Sequence, residues 1–334
     1  MDFFKLSSKI NELKKFAEIG LDDIKKTGLA VLDDFIGLKK GYPVFIAGSP
    51  HAGKTEFTFE VLLNTSILYD WKHLIYCGEG GNIEHIYNEL VHKYLEKPYK
   101  WANEKEKLQA EYFIDEHFIV VNHDNDYTIE EFYSMVEKVE KVLNLKFDTT
   151  VFDPFNDIKD ETDKFGGRED KYLAHALKQV RISSKRNNRI DIIVNHIADI
   201  RAVTDKDGNR YMPAAMPNEW AGGRTWWRRG FLMLLVYRPA TFLKDANGMN
   251  YAENETHIYV QKAKPKGIAK MGMKSIFWDW KKNRYYCFTD GNQKLYSCET
   301  LESISPKPLA ESKMQPNKDF TVGQNKLNDE GAVI

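Results

Sequence analysis

Gly48-Ser49-Pro50-His51-Ala52-Gly53-Lys54-Thr55 form a complete G-x-x-x-x-G-K-[ST] loop. An apolar, strand-like run from Val44 to Ala47 enters it, and a helix-like run from Glu56 to Leu68 leaves it. Glycines let such a loop curl so that backbone N–H groups surround phosphate oxygens, at the positive end of the following helix. Lys54 then reaches the β- and γ-phosphates, and the Thr55 hydroxyl helps hold Mg²⁺. The chemistry expected of this stretch is binding of ATP with Mg²⁺.

Hydrolysis needs more: a carboxylate beside the metal and a group that orients the attacking water. Asp153 closes the apolar run Thr149-Thr150-Val151-Phe152, where a Walker B aspartate sits, so Thr55 and Asp153 are the expected metal-side groups. Glu79 ends a second apolar run in the turn Gly78-Glu79-Gly80-Gly81 and is the candidate general base, with Asp157 as its rival. His196 follows Asn195 at the end of a fourth strand-like run. That places it at the carboxyl edge of a parallel sheet, where ligands bind and where it can sense the γ-phosphate, or serve only as a hydrogen-bonded structural residue. Lys262 and Lys264 precede the basic turn Pro265-Lys266-Gly267; from charge spacing alone they are surface lysines with the option of entering a neighbouring subunit's site.

Two long polar stretches, 156–169 and 198–224, carry Lys159, Lys164 and Arg168, and Arg201, Lys206, Arg210 and Arg224. Basic groups neutralise phosphates and aromatic rings stack on bases, which makes these residues candidates for binding single-stranded DNA. The same stretches hold Asp160, Glu161, Asp163, Glu169, Asp205 and Asp207, so a solvated loop face is an equal reading. Trp220, Trp226 and Trp227 fit base stacking, a core or a subunit contact.

The elements that must position these groups follow from hydrophobic periodicity. Short apolar runs at 44–47, 74–77, 118–121, 149–152 and 190–194 alternate with helix-like stretches at 56–68, 83–94, 128–143 and 170–186. This exchange marks an α/β fold with a mostly parallel central sheet covered by helices. Beyond residue 230 the runs 231–237, 256–261, 275–280 and 284–288 have turns between them and few helix signals, which predicts antiparallel strands added at one edge. Residues 1–26 read as an N-terminal helix with an apolar stripe for its own core or a neighbouring subunit, 27–300 as the main domain, and 301–334 as a loosely held tail rich in Pro, Lys, Asn and Asp.

The composition sets outer bounds. With 334 residues and a formal net charge of -1, the chain is not a generally basic nucleic-acid binder, so any such surface is local. Its three cysteines, Cys77, Cys287 and Cys298, make neither a disulfide framework nor a metal spacing, which points to reducing cytoplasm. No apolar run approaches membrane-spanning length, so no membrane association is expected.

Taken together, the motifs resemble the RecA-like motor core of hexameric DnaB-like replicative DNA helicases, and in pattern the helicase half of phage-type primase-helicases. The resemblance rests on Thr27-Gly28 with Leu32-Asp33, the phosphate loop, Glu79, Val151 to Asn156, Val194-Asn195-His196, Ala221-Gly222-Gly223, Val236-Tyr237-Arg238-Pro239 and Gln261-Lys262-Ala263-Lys264. It implies a RecA-like P-loop NTPase fold, with Glu79 as catalytic base, Asp153 as Walker B carboxylate and His196 as phosphate sensor. It implies channel-facing DNA-binding loops, a homohexameric ring, a primase or helicase-loader partner, and a phage-encoded protein working in a host cytoplasm. The family's trans-acting arginine finger falls on Lys264, a point charge without the guanidinium fork, so the role passes to Lys264, to another residue, or to slow turnover. The same core serves RecA- and RadA-like recombinases and recombination mediators, and nucleotide-gated DNA-binding assembly proteins, which are the alternatives.

Overall fold

In the computed structural model the apolar run before the phosphate loop is strand β1 (Val44–Gly48), buried along its whole length near the middle of a ten-stranded sheet. The structure describes residues 4–21, 23–122, 124–198, 200–239, 249, 251–289 and 292–298. The expected tail at 301–334 lies outside them.

Side chains of β1 alternate between two cores, as a pleated strand requires. Val44 and Ile46 pack with one cluster, Phe45 and Ala47 with the other. The first cluster takes in α2 (Ala30–Asp33), α3 (Lys54–Tyr69), α4 (Ile83–Leu95) and α5 (Glu104–His117). The second takes in α6 (Ile129–Val142), α7 (Glu169–Asn187) and α8 (Arg224–Arg229). Parallel strands β2 (His73–Cys77), β3 (Phe118–Val120), β4 (Thr149–Asp153), β5 (Ile190–His196) and β8 (Leu232–Tyr237) flank β1 in the order β8-β1-β5-β4-β2-β3. Both of their faces are covered, which is why they read as continuous apolar runs.

Beyond β8 the sheet turns antiparallel through β9 (Glu255–Lys262), β10 (Gly272–Asp279), β11 (Arg284–Phe288) and β12 (Lys294–Tyr296). The expected edge strands are therefore present, with β12 in addition. Thr128 caps α6 and Asn103 caps α5 through reciprocal capping boxes with Glu131 and Glu106.

The structure departs from expectation in three places. The N-terminal helix α1 (Ile10–Ile19), preceded by one 3-10 turn, stops well short of residue 26, because Gly20 ends it and Lys25 instead pairs with Leu38. Its stripe residues Leu13 and Phe16 remain exposed. The 198–224 stretch is not a structureless loop: it contains a small hairpin of β6 (Val203–Thr204) and β7 (Arg210–Tyr211). Trp220 and Trp226 are fully buried between the sheet and α7, so of the three tryptophans only Trp227 offers a free ring face.

Candidate active site

The phosphate loop begins where β1 ends. Gly48 must be glycine, because a Cβ there would lie 2.4 Å from the Val236 carbonyl of β8. Gly53 takes φ +88°, which favours glycine, and hands the chain to α3. The Thr27-Gly28 lead-in packs against this helix: Asn64 of α3 donates to the Thr27 carbonyl at 3.0 Å, while Asp33 accepts from Thr27 and Gly28.

Lys54, at the first position of α3, is buried and folds back so that its Nζ donates to the Ser49 carbonyl at 3.1 Å. Burial lowers its pKa, opposed by the charges of Asp153 and Glu79. The adjacent Thr55 hydroxyl donates to Asp153 Oδ2 at 2.6 Å, joining the loop to the end of β4. Asp153 is 3% exposed. Burial raises its carboxyl pKa to about 6, against the Thr55 hydrogen bond and the Lys54 charge that pull it down.

His196 ends β5 directly beside Gly48. Its Nδ1 lies 3.4 Å from Lys54 Nζ and its Nε2 3.2 Å from Glu79 Oε1. Ammonium only donates, so Nδ1 accepts and the Nε2–H donates to the Glu79 carboxylate. The imidazole thus bridges the phosphate-loop lysine and the candidate base. Glu79 itself is exposed in the turn after β2. That turn is held by the Gly78 N–H, which donates to the Asp153 carbonyl at 2.9 Å.

Sequence-distant strand ends thus converge on one edge: Lys54, Thr55, Glu79, Asp153 and His196 form a single hydrogen-bonded constellation. Asp157 sits close by, its Oδ2 2.0 Å from where a Gly78 Cβ would be; burial, then the Glu79 charge, raises its pKa. Ser49 and Gly53 of the loop are half-buried, Pro50 and His51 are exposed, and Ala52 is buried. The Thr55 hydroxyl and the Asp153 carboxylate are hard oxygen donors of the kind Mg²⁺ takes, and a buried carboxylate raised to about 6 is one whose charge lacks compensation. The residues present fit that ion.

Lys262 and Lys264 are not part of this constellation. Lys262 is buried and its Nζ donates to the Trp227 carbonyl, while Lys264 is exposed at the opposite, amino edge of the sheet. Among the basic loop residues, Lys159, Lys164, Arg168, Arg201, Lys206, Arg210 and Arg224 are all exposed. Lys164 is paired with Glu161, and Arg168 with Asp170 at 2.7 Å, so both already have acidic neighbours. One contact was invisible in the sequence: the Tyr285 hydroxyl of β11 lies 3.0 Å from where a Gly53 Cβ would be, closing the loop from the antiparallel side.

No protein-family model matches the chain and no curated protein is similar to it in sequence. Solved structures are similar in fold. One, a helicase ATPase domain, aligns with a TM-score of 0.66, covering 85% of this chain and 99% of that one at 13% identity. Another, a DnaB-like replicative helicase described together with its interactions with primase, aligns with a TM-score of 0.64, covering 84% of this chain and 68% of that one at 12% identity. The parallel sheet, the phosphate loop leaving its middle strand and the antiparallel edge are therefore those of the RecA-like fold that DnaB-like replicative helicases carry.

Proposed function

We propose that the chain is a Mg²⁺-dependent ATPase that drives movement along single-stranded DNA as a ring of identical copies, as a replicative helicase does. The observation that supports this most directly is the linked set at the carboxyl edge: Lys54 faces His196, His196 holds Glu79, and Thr55 holds Asp153. Lys54 and the loop N–H groups bind the β- and γ-phosphates. Glu79 takes the proton of the attacking water, and the His196 hydrogen bond orients it. Thr55 and Asp153 would hold Mg²⁺, which when bound supplies charge neutralisation at the terminal phosphoryl group.

His196 touches both the group that binds phosphate and the group that activates water, and the chain after it runs straight into the 198–224 segment. Change at the γ-phosphate thereby reaches Arg201, Lys206, Arg210 and Arg224, which with Lys159, Lys164 and Arg168 make up the DNA-facing surface. The exposed stripe of α1 suits a neighbouring copy in a hexamer, and Lys264 is a cation that a second copy's site can use. A primase or helicase loader is the natural partner, and a host cytoplasm the place of work. The likeness in fold to a DnaB-like replicative helicase supports this choice among the tasks a RecA-like core performs.

ATP hydrolysis by the full chain, with and without single-stranded DNA, tests the reading. DNA is expected to stimulate turnover several-fold, and Glu79→Gln to lower it by about 100-fold or more while nucleotide still binds. Turnover that DNA leaves unchanged refutes the motor, and a Glu79→Gln chain that hydrolyses normally refutes the base.

A further inference from the structure

Five cationic side chains surround one small hollow on the sheet face that carries α7 and α8. Lys178 and Arg181 come from α7, Arg228 and Arg229 from the end of α8, and Lys264 from the segment after β9, around a volume of about 140 Å³. None of the five makes an ion pair or hydrogen bond with a carboxylate among the described residues. Like charges left together without counter-ions repel one another, and they stay together only where the scaffold holds them. Here it does. The buried Lys262 donates to the Trp227 carbonyl and lies 5.1 Å from that ring, tying the end of β9 to α8. From the other side Trp226 packs edge-on against Phe45 and Phe155, fixing α8 on the sheet.

The hollow cannot serve the chain's own phosphate loop. Leu232 lies level with Val44, so Gly230 and Phe231, which line the hollow, precede the start of β1, whereas the loop begins past Gly48. At about 3.3 Å per residue the two sites are roughly 15 Å apart along the strands. The shape is a compact concavity rather than the extended basic groove that tracks a nucleic-acid strand. Two adjacent guanidinium groups offer the planar fork that matches a phosphate's oxygens, which an ammonium does not.

We propose that this hollow is a second oxyanion site, separate from the phosphate loop, which takes the terminal phosphate of a nucleotide, with Arg228 and Arg229 supplying the guanidinium contacts that Lys264 lacks. The nucleotide is either free or held in the phosphate loop of a second copy; the latter source rests on the ATPase reading above.

The test titrates tripolyphosphate into the full chain carrying Lys54→Ala, which disables the phosphate loop. Saturable binding is expected to persist and to weaken at least tenfold when Arg228→Gln and Arg229→Gln are added, with thermal unfolding unchanged. Arg228→Lys with Arg229→Lys keeps the charge and removes the fork, and is expected to weaken binding at least threefold. The proposal is overturned by an absence of saturable binding in the Lys54→Ala chain, by binding that the glutamines leave intact, or by full competition from a single-stranded oligonucleotide. Mixing Lys54→Ala chains with Arg228→Gln/Arg229→Gln chains separates the sources. Recovered ATP turnover assigns the phosphate to a second copy's nucleotide, and tripolyphosphate binding without recovery assigns it to free nucleotide. Because this titration needs no turnover, failure of the ATPase reading and failure of the oxyanion site give different results.

Discussion

Asp153→Asn is expected to make the ligand-free protein more stable while abolishing its hydrolytic chemistry. The carboxyl is buried at the end of β4, and burial raises its pKa from 3.8 to about 6 despite the Thr55 hydrogen bond and the Lys54 charge. A folded pKa above the unfolded one means that the ionised form is disfavoured by folding, so the penalty is full above about pH 6 and fades as pH falls toward 3.8. A shift of about two units at 1.36 kcal/mol each makes it roughly 3 kcal/mol at pH 8. Asparagine removes the charge and keeps an oxygen to accept from Thr55, so most of that should appear as added stability. Urea unfolding without nucleotide or Mg²⁺ measures it: a gain of about 2–3 kcal/mol at pH 8, falling to about a third at pH 4.5. Mg²⁺ with a non-hydrolysable ATP analogue should reverse the order, stabilising the wild type more, because only the carboxylate suits the ion. A variant less stable than the wild type at pH 8, or a gain that is the same at both pH values, would refute the argument.

Two further substitutions probe how the constellation is supported. Gly48→Ala sets a Cβ 2.4 Å from the Val236 carbonyl, a backbone atom inside the sheet, so a loss of about 1–3 kcal/mol and weaker nucleotide binding are expected in calorimetric melts and fluorescent-nucleotide titrations. An alanine variant that melts and binds normally would show that β1 and β8 can part there. Arg284→Met leaves Glu60 buried with only Lys93 for a cationic partner, and should cost about 3–5 kcal/mol in urea unfolding, much of it recovered by adding Glu60→Gln. Full stability in Arg284→Met alone would mean that the buried charges are not coupled.

The phosphate loop was legible because its chemistry is local: eight consecutive residues define it. Glu79, Asp153 and His196 were legible for a different reason. Each follows a short apolar run, and parallel strands present their carboxyl ends at one edge, so strand-end polar residues meet there whatever lies between them. What escaped notice depends on contacts without a local signature. Helix α5 is mostly charged and buries only Ala110, Phe113, Ile114 and His117, so its periodicity is weak. Trp220 and Trp226 stand among arginines and glycines that suggest a surface, yet both fill the space between α7 and the sheet. The α1 boundary was overestimated because Ile24 and its neighbours continue the apolar spacing after Gly20 has already turned the chain. The hairpin β6–β7 is too short to show alternation.

The antiparallel edge has a bearing on the site that its distance in sequence conceals. Helix α3 starts at Lys54, so its position sets where the catalytic lysine lies. On the face of α3 away from the loop, Glu60 accepts from Arg284 of β11 at 2.8 Å and pairs with Lys93 of α4 at 3.5 Å, all three being buried. Burial alone pushes the Glu60 carboxyl pKa up; the Arg284 and Lys93 charges outweigh it and hold the group below its ordinary range. Arg284 also donates to Asn64 at 3.1 Å, and Asn64 in turn holds the Thr27 carbonyl. Apolar packing would stabilise the helix as well or better than such a buried network, so stability is a poor reason for it. Directional hydrogen bonds from β11, α4 and the lead-in instead fix the rotation of α3 about its axis. A phosphate-loop helix pinned in this way has little freedom to shift. Motion that follows the γ-phosphate is then left to the segments after β4 and β5, where Asp153 and His196 hand the chain to the loops that carry the exposed basic residues.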